Sequence, residues 1–173
     1  MYELASKIQH IPILSLQTGE VAGWTRRPMI ELATLEIIAF YCEKKQNRQA
    51  LILLSRDIRQ FAPDCIIVDS EEELTNPDDI IRLKSSRKAN FNPLDKPVIS
   101  DAGRKLGQVE DYSINLETCR IQKLYVRGSL FRLWPGPQLT IDRTQIIDVT
   151  PHQIVVRDSL AKAPTLPVEA VPD

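Results

Sequence analysis

Gly103-Arg104-Lys105-Leu106-Gly107-Gln108-Val109-Glu110-Asp111-Tyr112-Ser113-Ile114-Asn115-Leu116 decides the fold, because an altered form of it occurs earlier, at residues 19–32. At a spacing of 84 residues, Gly19, Gly23, Ile30, Leu32, Thr34, Ile37 and Tyr41 meet identical residues at Gly103, Gly107, Ile114, Leu116, Thr118, Ile121 and Tyr125. Past residues 43–50 and the longer segment 127–138 the spacing becomes 88, and Leu51, Ile58, Pro63, Ile66 and Val68 meet Leu139, Ile146, Pro151, Ile154 and Val156. That is twelve identities over 44 positions, where unrelated stretches of ordinary composition give roughly two to four. A fixed period marks a duplicated unit. Each unit is small for a self-sufficient core, so the two are expected to stabilise each other or to lean on the segment between them.

Working outward, each copy reads as a run of short strands. Residues 11–16 form a strand in which Pro12 is tolerated near the start. Thr18-Gly19, and Asp101-Ala102-Gly103 in the second copy, turn the chain, with glycine supplying the left-handed residue of a hairpin turn. Residues 23–32 and 107–116 alternate apolar and polar, as a long half-buried strand does. Residues 37–42 and 121–126 are β-branched and aromatic runs that read as buried strands, with Tyr41 and Tyr125 in the core. Ser55-Arg56-Asp57-Ile58 and Arg143-Thr144-Gln145-Ile146 read as short helical turns whose isoleucines plug the core, before closing strands within residues 63–69 and 151–157. The G-x-x-x-G spacing lacks the Gly-Lys-Ser/Thr ending of a phosphate loop and is followed by no helix, so it is a turn device.

Residues 1–10 read as a mixed lead-in. Between the copies, Ser70 with Glu73 fits a capping box, and Asn76-Pro77-Asp78-Asp79 opens a helix that runs to Asn92-Pro93. The expected division is a first unit at 1–75, a helical linker at 76–93, a second unit at 94–160 and a disordered proline-rich tail at 161–173. With a net charge of -1 the chain lacks the basic excess of a general nucleic-acid or membrane-surface binder. Cys42, Cys65 and Cys119 have no metal-binding spacing and read as free thiols of a reducing, cytoplasmic compartment. No apolar run approaches the roughly 20 residues of a membrane span, and no secretory leader is apparent.

The strand, glycine turn, Gly107-Gln108-Val109-Glu110-Asp111, the run 121–126 and Ile154-Val155-Val156-Arg157-Asp158 together resemble the PRC-barrel family. The first copy departs from the pattern, with Arg26-Arg27 where the second has Glu110-Asp111. The resemblance implies a mainly β protein of two tandem small bent six-stranded barrels joined by a helical linker. It also implies a non-catalytic adaptor role, as in a ribosome maturation factor and a photosynthetic reaction-centre subunit.

The residues themselves offer no convergent chemistry. There is no Ser/His/Asp pattern, no histidine pair and no facing carboxylate pair, so neither an enzyme nor a metal or cofactor site is expected. The favoured reading is a scaffold for protein partners, with Arg26 and Arg27 as candidate binding residues and the inserted Leu130, Phe131, Leu133 and Trp134 either capping a barrel end or meeting a partner. Arg26-Arg27 facing Glu110-Asp111 across a pseudo-twofold axis would orient the units. The second reading is an RNA-associated factor in ribosome maturation, using basic residues such as Lys44, Lys45, Arg48 and those of 84–88. A peripheral role in a membrane electron-transfer complex ranks third.

Overall fold

The repeated alternation becomes two seven-stranded sheets in a computed structural model that describes residues 1–44, 50–128 and 138–157. In the first copy the strands are β2 (Pro12–Ser15), β3 (Val21–Ile30), β4 (Ile37–Glu43), β5 (Ala50–Leu54), β6 (Gln60–Ala62), β7 (Cys65–Val68) and β8 (Leu74–Thr75). The second copy contains β9 (Pro97–Ser100), β10 (Lys105–Asn115), β11 (Arg120–Gly128), β12 (Gln138–Asp142), β13 (Ile146–Val149) and β14 (Ile154–Val156). Strand order is β6-β7-β2-β3-β4-β5-β8 in one and, in the same sense, β13-β14-β9-β10-β11-β12 in the other. Each sheet carries one parallel pair at the same place, β2 with β7 and β9 with β14. The long strands break register at equivalent points, Thr25/Arg27 and Met29/Ile30 in one, Val109/Asp111 and Ser113/Ile114 in the other. A bulge bends its strand and increases its twist, so each long strand turns twice. Among the described residues no edge pairing closes either sheet into a ring.

The small units share one core. Ile13, Phe40, Leu53 and Ile66 of the first belong to the same buried cluster as Val98, Tyr112, Ile121 and Val156 of the second. The lead-in is also structured. Strand β1 (Tyr2–Leu4) crosses to the second sheet and pairs with β10, Tyr2 opposite Asn115 and Leu4 opposite Ser113. Behind it Ala5 and Ile8 are buried, so the chain begins on one unit and continues in the other.

Thr25 shows how the copies diverge inside. It is fully buried, its hydroxyl donating to the Ile8 carbonyl at 2.8 Å and accepting from the Ile11 amide at 3.1 Å. Its equivalent is the buried Val109. Thr25→Val is therefore expected to fit sterically and still to destabilise by about 1–3 kcal/mol, because it strands a buried donor and acceptor. Urea denaturation checks this, and an unchanged midpoint refutes it.

Cys42 lies opposite Val126 in the repeat, and both are buried. Burial pushes its thiol up to about 12, against a smaller opposing effect of the Leu53 backbone. Only the unfolded chain ionises this thiol between the ordinary thiol range and about 12, so stability is unaffected below that range and falls as pH rises through it. Denaturation midpoints from pH 7 to pH 10.5 should show the decline, and Cys42→Ala should lessen it, the remainder belonging to Cys119 and Tyr112, which burial also raises.

The linker differs from the single helix expected. It breaks into 3-10 turns at Pro77–Asp79 and Ile81–Leu83 followed by a short helix, α1 (Lys84–Ala89). Asn76 does cap, accepting from the Asp78 amide at 3.0 Å, and Asn90 ends α1 in the left-handed conformation. Ser70 accepts from the Glu72 amide above another 3-10 turn. What holds the linker is an apolar outer face on the first sheet, where Leu83 and Ile80 pack on Met29, Ala39, Ile52 and Leu54. The second sheet has Ser113, Lys123, Thr140 and Asp142 at those positions. A polar outer face needs no cover, which explains why the linker lies on the first unit. No helix among the described residues is long and apolar enough to cross a membrane.

Candidate functional site

The β3–β4 and β10–β11 turns meet each other. Glu36 and Arg120, 84 residues apart and therefore equivalent, form an antiparallel bridge. On either side the Ile37 amide donates to the Cys119 carbonyl at 2.7 Å and the Ile121 amide to the Leu35 carbonyl at 3.1 Å. Leu35 and Cys119 share a left-handed backbone, with φ of 55° and 51°. Each contact is the other under exchange of copies, so the seam is an isologous interface within one chain. On the axis the Arg120 guanidinium donates to the Glu36 carboxylate through two nitrogens. These side chains are 52% and 29% exposed, so the pair contributes at most about 1 kcal/mol. Glu36→Arg and Arg120→Glu should each destabilise by that order, and the double exchange should restore much of it; additive losses in a denaturation cycle would count against the pairing.

A cleft of about 590 Å³ opens over the seam, within the size range of ligand sites. Glu31, Glu36, Ile38, Leu54, Ser55, Leu83, Ser86, Glu117, Thr118 and Cys119 line it. Two smaller hollows flank the seam as pseudo-symmetric mates. One, of about 340 Å³, is lined by Ser55, Ile58, Phe61, Leu116 and Cys119; the other, of about 170 Å³, by the equivalent Arg143, Ile146, Val149, Leu32 and Leu35. Ile58 and Ile146 pack against the core from these places, as the sequence suggests. The hollows differ through their first-position residue. Ser55 donates to the Ile37 carbonyl at 2.5 Å, whereas the longer Arg143 crosses to the Thr34 carbonyl.

The cleft offers shape and polar contacts more than reactivity. Burial, assisted by Glu36, pushes the Cys119 thiol up against a hydrogen bond from Ser55, and a protonated thiol is a poor nucleophile. Neither histidine lines it: His10 accepts from Arg26 at 2.9 Å, and His152 is exposed beside Thr150. Among the described residues no group of three or more His, Cys, Asp or Glu is placed to hold a metal ion.

The sequence-predicted contact across the axis is replaced by other partners. Arg26 pairs with Glu43 at 2.7 Å, while Arg27 donates to Asn90 at 2.8 Å and lies 4.3 Å over the Tyr41 ring. Glu110 pairs with Arg127 of its own unit, and Asp111 accepts from Ser6 at 2.7 Å. The bulge leaves Arg26 unpaired in the ladder, between Thr25 opposite Cys42 and Arg27 opposite Tyr41, and bends β3 there, so both arginines are aimed by the bulge. Arg27 lies over an outer-face tyrosine, so Tyr41 and Tyr125 are half-buried residues and not core. The axis is taken instead by Glu36 and Arg120, findable because their spacing is the repeat itself. Leu130, Phe131, Leu133, Trp134 and residues 161–173 lie outside the described residues. Comparison with protein-family models and with curated proteins finds no match for this chain.

Proposed function

We propose that this chain is a non-catalytic adaptor built from two tandem PRC-barrel-type units joined by a partly helical linker, holding protein partners on its outer surfaces. The observation that carries this reading is the repetition of one architecture: six equivalent strands per unit, one parallel pair and two bulges in a long strand. The units meet back to back through equivalent turns and keep separate outer surfaces, as a scaffold requires. The divisions at 75/76 and 93/94 belong to the same proposal, and the free cysteines fit a cytoplasmic setting.

The test is a pull-down from cell extract with the tagged full chain. The intact chain should retain specific proteins, and the triple change Phe131→Ser, Leu133→Ser, Trp134→Ser should lose them while the denaturation midpoint holds. Retention of nothing above background overturns the adaptor reading. The RNA reading is weakened by local neutralisation, since Arg26 faces Glu43, Lys44 faces Glu71 and Arg87 faces Asp78. Filter binding to ribosomal RNA should therefore be weak, and strong binding falling steeply with salt would favour RNA instead.

A further inference from the structure

The two sides of the seam differ in what fills them. On the second unit's side the Arg143 guanidinium donates through Nη2 to the Thr34 carbonyl, while Nη1 is buried without a hydrogen-bond partner among the described residues. The hollow that Arg143 enters measures only about 170 Å³. On the first unit's side the equivalent residue is Ser55, which is too short to cross and turns back to the Ile37 carbonyl at 2.5 Å. The hollow there is larger, about 340 Å³, and it shares Ser55, Glu117 and Cys119 with the cleft of about 590 Å³. Thr118, the equivalent of Thr34, lines that cleft. One of two equivalent places is therefore filled by a guanidinium from within the chain, and the other is a cavity.

We infer that this cleft is a binding site for an arginine side chain of a partner protein, taken up there as Arg143 is taken up in the mate hollow. The Thr118 carbonyl then accepts from the guest as the Thr34 carbonyl accepts from Arg143. Charge points the same way when every lining residue is counted. The cleft carries Glu31, Glu36 and Glu117 against Arg56, whereas the equivalent positions carry Asp142 against Arg120 and Arg143. The side that already holds a guanidinium is net basic, and the side without one is net acidic. Local pairing narrows this to one carboxylate. Glu36 holds Arg120, Glu117 meets the Met1 amine at 2.9 Å, and Arg56 meets Asp57 at 3.3 Å. Glu31 accepts from the Thr34 hydroxyl at 2.8 Å and has no ion pair among the described residues, so one guest cation completes the balance. Ile38, Leu54 and Leu83 supply an apolar wall for the methylene stem. This deepens the adaptor reading and rests on it for the existence of a protein partner.

The test titrates the isotope-labelled full chain with the peptide acetyl-Ala-Leu-Arg-Ala-amide. Amide signals of Ser55 and of residues 117–119 should shift and saturate within about 10 mM peptide. A lysine peptide should bind roughly fivefold more weakly, because an ammonium lacks the planar fork. A citrulline peptide, which keeps the shape and loses the charge, should bind roughly tenfold more weakly. Glu31→Gln should weaken the arginine peptide roughly threefold and reduce its salt dependence. Ser55→Arg supplies the missing side chain from within and should abolish binding while the denaturation midpoint holds. No shift at about 10 mM, equal binding of the arginine and citrulline peptides, or undiminished binding to folded Ser55→Arg each overturns the inference. Were Ser55→Arg to unfold, the citrulline and Glu31→Gln arms still decide. Agmatine, a free guanidinium of similar reach, should bind more weakly than the peptide; tighter binding assigns the cleft to a small molecule and overturns the protein source. The pull-down and the peptide titration fail separately, the first judging the adaptor role and the second this cleft.

Discussion

Replacing Gly107 with alanine is expected to cost about 4 kcal/mol or more, a large share of the stability of an ordinary domain. Its φ of +150° lies where side chains are rarely tolerated, and an added Cβ would stand 1.9 Å from the Arg127 carbonyl oxygen and 2.7 Å from its carbon. These are backbone atoms of the paired strand, Gly107 standing opposite Gly128, so no side-chain rotation relieves the overlap. Gly19 provides the control. It also has positive φ, +70°, but no atom lies within 4 Å of its added Cβ, so Gly19→Ala should cost only the left-handed penalty of roughly 1–2 kcal/mol. Chemical denaturation of both variants decides the matter. Equal losses would mean that the β10–β11 approach at Gly107 is looser than its geometry implies.

Leu83→Ala should cost about 2–4 kcal/mol. Leu83 is 4% exposed and lies on Met29, Ala39, Ile52 and Leu54, so truncation removes cover from an apolar sheet face that water would then reach. Ile81, two residues away and 76% exposed, should tolerate alanine within about 0.5 kcal/mol. The contrast separates packing from helix propensity, since both residues occupy the same 3-10 turn. Hydrogen exchange adds a second readout: Leu83→Ala should speed exchange in residues 77–91 while the second sheet stays protected. Loss of protection throughout the chain would show that the linker belongs to the shared core.

The sequence made the duplication legible because identical glycines and core aliphatics kept their spacing, and the common strand order follows from it. It also announced the left-handed turn glycines, Gly19 and Gly103 having φ of +70° and +79°. Tertiary pairing was not legible. Tyr2–Leu4 has no alternation long enough to mark a strand, and its partner β10 lies over a hundred residues away. The buried Ser15 and Ser100 each accept from a turn amide, from Thr18 at 3.4 Å and Arg104 at 3.2 Å. They escape a comparison at constant spacing because one turn is a residue shorter and they stand 85 apart. The pseudo-twofold contact runs through Glu36 and Arg120, which in sequence fit any exposed turn, and not through the charge reversal at Arg26-Arg27. The polar exchange of the outer face at Ser113, Lys123, Thr140 and Asp142 was present in the aligned copies and is the signal that would have placed the linker.

Because β1 hydrogen-bonds to β10 while the residues just behind it lead into β2, covalent order and spatial order part company at the start of the chain. Nicking the backbone near Asn90 would therefore leave two fragments that hold each other through an interlaced strand as well as the shared core. Such fragments, prepared separately and mixed, should recombine into one particle, which makes that position a natural place to split the protein for a complementation reporter.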